Sequence, residues 1–219
     1  MKLDWSVVWE YRWLLAEGVL VTIGLTVLTM VIAVPGGIIL ALMRLSKNRL
    51  MSGFSLGFVE LFRNIPLILV VYWAFYVMPI FVGIELSAFA TGITALALNV
   101  SAYNAETFRA GINSIRQGQV QAGLALGMSR FQVLREIVLP QAFRRIMPIL
   151  ASTWVSLFKD TSLVSVISVG DLAHNALMVR SQTFRVLEML TAMAVIYWML
   201  GYPQAKLADW VRKKFEVKE

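Results

Sequence analysis

Two polar stripes interrupt an otherwise apolar sequence and hold most of its side chains capable of chemistry. Asn99, Tyr103 and Glu106 recur at i, i+4 and i+7, and Ser152, Ser156, Lys159 and Ser162 repeat that spacing with Asp160 beside the lysine. On helices each set falls on one face. Amide, phenol, hydroxyl, ammonium and carboxylate groups can grip a zwitterion or pass a proton, but none of them is an activated nucleophile. The chain has no cysteine and a single histidine, His174. This excludes disulfides, thiolate metal sites, cysteine nucleophiles and the HExxH zinc motif. A Walker-type phosphate loop is also absent from the sequence. We therefore expect no catalytic residue and no metal site. Ionisable groups within apolar segments normally face a bundle interior or water, which makes Lys159 a candidate to meet a substrate carboxylate. A structural reading competes with it: Lys159 pairs with Asp160, and Glu106 with Arg109 one turn on.

The elements that position these stripes are apolar. Of 219 residues 58% are hydrophobic and 15% charged, with a mean hydropathy of +0.71. A soluble domain of that composition lacks charge for its surface, so the chain reads as an all-α polytopic membrane protein. A crossing helix needs about 20 apolar residues. Runs starting at Val19, Pro66, Leu86 and Met189 qualify; a fifth, Ile146 to Gly170, is broken by Lys159 and Asp160, each costing roughly 2.5–3.5 kcal/mol at mid-membrane. Charge asymmetry decides in its favour. With five transmembrane helices at about 18–43, 64–84, 86–108, 146–170 and 187–206, N-terminus outside and C-terminus inside, 14 basic residues fall on one side. These are Arg44, Lys47, Arg49, Arg109, Arg116, Arg130, Arg135, Arg144, Arg145, Lys206, Arg212, Lys213, Lys214 and Lys218; Lys2, Arg12, Arg180 and Arg185 fall on the other. Basic residues collect in cytoplasmic loops. The net charge of +7 thus flanks the spans and forms no nucleic-acid patch. The first residues lack a signal-peptide pattern, so the first apolar run is expected to be retained. The whole chain, 1–219, reads as one membrane unit.

Residues 49–62 suit a helix lying at the cytoplasmic interface, followed by Arg63 and Asn64 at the membrane border. Pro35-Gly36-Gly37 predicts either a kink or close helix packing. Between 113 and 145 the pattern is two short helices. Gly127 suits the left-handed end of the first and Ser129 the cap of the second. Ala122, Gly123, Ala125 and Gly127 leave the first helix thin enough to enter a partner's groove. The second, from Arg130, carries Phe131, Leu134, Ile137 and Val138 toward the membrane unit, and Pro140 is expected to end it.

The spacing Gly127, nine residues, then Ile137-Val138-Leu139-Pro140 resembles the cytoplasmic EAA loop of permease subunits of bacterial ABC importers. The usual Glu-Ala-Ala is Gln121-Ala122-Gly123 here. Leu61-Phe62-Arg63-Asn64-Ile65-Pro66, Ala102-Tyr103-Asn104-Ala105-Glu106, Pro140-Gln141-Ala142-Phe143-Arg144 and Lys159-Asp160-Thr161-Ser162-Leu163 are similar to polar amino acid permeases, the glutamate and aspartate type most of all. The resemblance implies a type I importer fold in the bacterial inner membrane. It implies a loop that couples to ATP-binding subunits through Gln121, Ala122, Gly123, Gly127, Leu139 and Pro140. Implied partners are two ATP-binding subunits, which bind ATP and Mg²⁺, a second permease of the same or related sequence, a periplasmic amino acid binding protein and the bilayer. This chain itself would bind no cofactor. The expected cargo is a polar amino acid, an acidic one favoured, passing Lys159, Asp160, Ser156, Ser162, Asn99, Tyr103 and Glu106. The alternative is an ion-coupled carrier or channel subunit relaying charge through Glu106, Lys159 and Asp160; such a protein has no use for a small-residue docking helix.

Overall fold

The computed structural model describes residues 3–215; Lys2 and Lys218, counted in the charge asymmetry, lie outside them. Every regular element among the described residues is helical. A short α1 (Ser6–Glu10) leads into α2 (Arg12–Leu45), and α3 (Arg49–Asn64) follows. Next come α4 (Leu67–Tyr72), a π-helical turn (Trp73–Val77), α5 (Met78–Val82) and α6 (Ala88–Asn113). The hairpin of α7 (Gln117–Ala125) and α8 (Arg130–Gln132) precedes a second π-helical turn (Val133–Val138) and α9 (Leu139–Asp160). A 3₁₀ segment (Thr161–Ile167), α10 (Leu172–Thr183) and α11 (Val186–Phe215) complete the bundle.

Small residues face inward and large apolar ones outward, as expected where lipid is the solvent. On α2 Gly18, Thr22, Thr26, Ala33 and Gly37 are buried, whereas Val31, Ile32, Ile39 and Leu42 are exposed. The helix runs through Pro35 without a break. A Cβ on Gly36 would sit 2.6 Å from Ser101 Oγ, and one on Gly37 2.5 Å from Asn104 Cβ. Close packing of α2 on α6, not a break in the helix, is what Pro35-Gly36-Gly37 serves.

By length and apolarity, α2 and α11 could each cross a membrane alone, and two bent pairs qualify jointly: Arg49–Asn64 with Leu67–Val82 (109°) and Arg130–Ile167 with Leu172–Thr183 (47°). The central α6 is less apolar because it turns polar groups into the bundle. Asn99 Nδ2 donates to Phe62 O at 2.7 Å and Asn104 Nδ2 to Ala33 O at 3.3 Å. The 146–170 segment is not one α-helix: it ends at Asp160 and tightens into the 3₁₀ segment, which stops at Ser168 with φ 62°.

Helices α9 and α11 run antiparallel. Phe143 meets the Phe215 ring (centroids 6.0 Å apart), Trp154 Nε1 donates to Gln204 Oε1 (2.7 Å), and Phe158 packs on Tyr197 (5.8 Å). At the opposite end Asp4 N–H donates to the buried Glu188 carboxylate at 2.9 Å, and Arg185 lies 3.6 Å from Asp4 and 3.7 Å from Glu188. Asn175 Nδ2 also donates to Leu14 O there, at 2.9 Å.

Candidate functional site

The 113–145 hairpin is built by its own backbone. Helix α7 closes with Met128 N–H on Gly123 O (3.1 Å) and Gly127 N–H on Leu124 O (3.0 Å) around Gly127 at φ +83°. This is the paired closure that a left-handed glycine permits. Ser129 then caps α8 reciprocally: its N–H donates to Gln132 Oε1 (2.8 Å) and its Oγ accepts from Gln132 N–H (3.2 Å). Gln141 Nε2 bonds Gln119 Oε1 at 2.9 Å, and an Arg145 guanidinium N–H donates to Ser114 O at 2.8 Å, tying the hairpin to α9.

Within α7, Gln121 and Ala122 are exposed but Gly123 is buried, where a Cβ would meet Ile137 Cδ1 at 2.8 Å and Val133 Cγ2 at 2.9 Å. The glycine thus lets the second helix lie against the first, and the thin outer surface belongs to Gln121, Ala122 and Ala125. Gly127, Leu139 and Pro140 are exposed as well. Two expectations fail here. Phe131 and Leu134 point outward, and Val133, Ile137 and Val138 make the inner contacts. Nor does Pro140 end the helix: α8, the π-helical turn and α9 form unbroken helix from Arg130 to Asp160. The wider i→i+5 turn just before Pro140 accommodates its missing N–H and rotates the apolar face by a residue.

A cavity of about 590 Å³ opens where α3 stops. Ile65 is extended, as the residue before a proline must be, and Pro66 starts a new helix in another direction. The carbonyls left over at the end of α3 are taken up by α6. Asn99 holds Phe62 O, and the Tyr103 hydroxyl reaches Arg63 O at 3.5 Å. The Arg63 guanidinium lies 5.4 Å from the Tyr103 ring centre. Across the cavity α9 contributes Ser152, Ser156 and Asp160.

The structure therefore unites Asn99, Tyr103, Ser156 and Asp160, and separates the rest. Lys159 and Ser162 open into a different groove of about 660 Å³ against Tyr197, Trp198 and Tyr202 of α11. The cavity face of α9 is centred on Ser156 and Asp160, which leaves Ser152 at its margin and Lys159, about 20° beyond Ser152 at 3.6 residues per turn, outside it; the 3₁₀ segment carries Ser162 further round. Glu106 is bound to Arg109, whose Nε donates to its Oε2 at 3.0 Å with a second guanidinium contact beside it. Arg63 is the cavity residue that sequence reasoning missed; it looked like a border arginine, and only the Asn64-Ile65-Pro66 break after it hinted at a turned helix end. Among the described residues no cluster of three or more His, Cys, Asp or Glu side chains could hold a metal ion.

An all-helical bundle with a capped helical hairpin at one end and a polar cavity in its wall has the fold of a type I ABC importer permease. The chain belongs to the family of binding-protein-dependent transport system inner membrane components, which matches residues 33–217. It is 33% identical to the glutamate/aspartate import permease protein GltK of Escherichia coli O6:H1, over 97% of this chain and 98% of GltK. It is also 33% identical to the glutamine transport system permease protein GlnP of Escherichia coli K12, over 91% of this chain and 92% of GlnP. A crystal structure of an amino acid ABC transporter with histidines superposes with a TM-score of 0.91 at 32% identity, covering 98% and 100% of the two chains. The chain is thus a permease subunit of an amino acid ABC importer, and its relatives are transport components.

Proposed function

We propose that the chain crosses the bacterial inner membrane five times, N-terminus outside, with the 113–145 hairpin as the cytoplasmic contact for a separate ATP-binding subunit. The antiparallel run of α9 and α11 supports this reading, because it brings the basic end of α11 to the hairpin's side at Phe143. Gln121, Ala122, Gly127, Leu139 and Pro140 would meet the ATPase, and Gly123 would act from beneath by holding the hairpin closed. ATP and Mg²⁺ belong to two such partner subunits. A second permease and an external amino acid binding protein complete the importer.

The observation that carries the proposal is the uninterrupted helix from Arg130 to Asp160. That helix has the hairpin at its foot and Ser152, Ser156 and Asp160 in the cavity near its head, about 33–45 Å from Arg130 at 1.5 Å per residue. Movement imposed on the hairpin by a closing ATPase would reach the cavity through continuous helix. The cavity offers a guanidinium and a carboxylate together, the complement of an α-amino acid's own carboxylate and ammonium. Lys159 has no place in that cavity, and Glu106 serves as a structural partner of Arg109. We favour an acidic amino acid as cargo, on the strength of Arg63 and the likeness to GltK. Uptake into proteoliposomes holding the assembled importer and its binding protein, with acidic, amide and basic amino acids in competition, tests the reading. Acidic amino acids should compete best; preference for a basic one would overturn the cargo assignment and leave the transport role intact.

A further inference from the structure

A third cavity, of about 380 Å³, lies on the wall of the bundle between α2, α3 and α6, and shares no lining residue with the cargo cavity, which opens on the other face of α6. Its walls are Ile32, Ile39 and Met43 of α2, Phe54 and Phe58 of α3, and Leu98 of α6. Ile32, Ile39 and Phe54 are exposed although strongly apolar. The phenyl rings form a ladder: Phe54 to Phe58 at 6.4 Å and Phe58 to Phe62 at 4.6 Å.

Helix α3 is folded back along the end of α2. Ser55 Oγ donates to Leu40 O at 2.7 Å, and Ser52 Oγ to Arg44 O at 3.2 Å. Leu40 and Arg44 are one turn apart, about 6 Å, so the phenylalanines lie roughly that far to the apolar side of Arg44. An amphipathic helix seated at a bilayer boundary sinks its apolar face by about 5–10 Å.

Past Met43, the last lining residue of α2, the chain turns into α3 through a basic stretch, with Arg44 at the end of α2, Lys47 in the turn and Arg49 at the start of α3. Arg44 is half-buried and turned to Ser52 O at 3.5 Å; Lys47 and Arg49 are exposed on either side of Asn48, the cap of α3. None of the three is ion-paired among the described residues. Glu106 of α6, held by Arg109, is near enough to act on Arg44, whereas Lys47 and Arg49 have no carboxylate within ion-pair distance among the described residues. An apolar slot ending in unpaired cations calls for an amphiphile with an anionic head. A second copy of the chain is a poor occupant, because pairing through this face would set the same cations against one another.

We propose that this groove binds an anionic phospholipid of the surrounding bilayer, with an acyl chain along Ile39 and Phe58 and the phosphate at Lys47 and Arg49. The site is separate from the cargo path, so its failure would leave the transport reading untouched.

The assembled importer is placed in nanodiscs of phosphatidylcholine with increasing phosphatidylglycerol, and retained lipid is counted by native mass spectrometry. Wild type should hold phosphatidylglycerol selectively. Lys47→Gln with Arg49→Gln should weaken that retention by roughly fivefold per charge removed. Ile39→Trp, which fills the groove and leaves both charges in place, should abolish it. Lys213→Gln with Lys214→Gln removes equal charge from the end of α11 and should change nothing. Three results would each overturn the proposal: equal loss in that control, full retention in the Lys47/Arg49 variant, or a photo-crosslinker at position 39 that captures a second copy of the chain and no lipid.

Discussion

The hairpin and the Arg63 cavity are built by different means. In the hairpin, Gly127, Ser129 and Gln132 lie within a few residues of one another and each makes its contact locally, through a left-handed turn or a reciprocal cap. In the cavity, Arg63 stands in the last turn of one helix, Asn99 and Tyr103 come from a second and Asp160 from a third. No short stretch of sequence contains that site. Local backbone chemistry specifies the first region almost alone, whereas the second exists only because α3 stops at a proline and α6 supplies donors for its stranded carbonyls.

If the hairpin owes its form to its own turn, changes there should act in graded fashion. The largest effect is expected for Gly127→Trp. A tryptophan at φ +83° carries strain of about 1–2 kcal/mol and adds bulk to the outer surface. Membrane insertion should be normal by protease protection, while ATPase assembly or coupled uptake is lost. Gly127→Asn, which tolerates the left-handed region, should retain both. A smaller effect is expected inside the hairpin: Gly123→Val overpacks Val133 and Ile137 and should destabilise it by about 1–3 kcal/mol, seen as faster amide exchange in α7. Gly123→Ala should be milder, because the Ile137 Cδ1 it meets is the end of a flexible side chain. Smallest is Ser129→Ala, which removes the cap for about 1 kcal/mol and should speed exchange at Gln132 without affecting the cavity. Equal responses at hairpin and cavity to Ser129→Ala would erase the distinction between the two regions.

The same distinction explains what could be read in advance. The capped turn at Gly127 and Ser129 was legible because glycine conformation and side-chain capping act within a few residues. A separate helix before Pro66 followed from the mixed composition of residues 49–62 and the proline after them. The fate of Pro140 was not legible, since a π-helical turn that absorbs a proline has no short signature. The orientation of Phe131 and Leu134 was lost with it. Lys159 was assigned to the serine face by spacing alone, and a residue at the edge of a helical face is assigned by its neighbours, here Tyr197 and Trp198 of α11. Arg63 carries no distinguishing signal in the sequence, because a basic residue at a span boundary is what any membrane helix shows.

The cargo role proposed for the Arg63 cavity is tested most directly by uptake. In proteoliposomes with the binding protein, half-saturation for uptake would be measured for Arg63→Gln, Asp160→Asn and Lys159→Gln in normally assembled importers. A hydrogen bond to a charged group contributes about 1.5–3 kcal/mol, which corresponds to a rise of roughly 10- to 100-fold. The first two variants should show that rise and Lys159→Gln should match wild type. A rise for Lys159→Gln with the other two unchanged would contradict the cavity assignment.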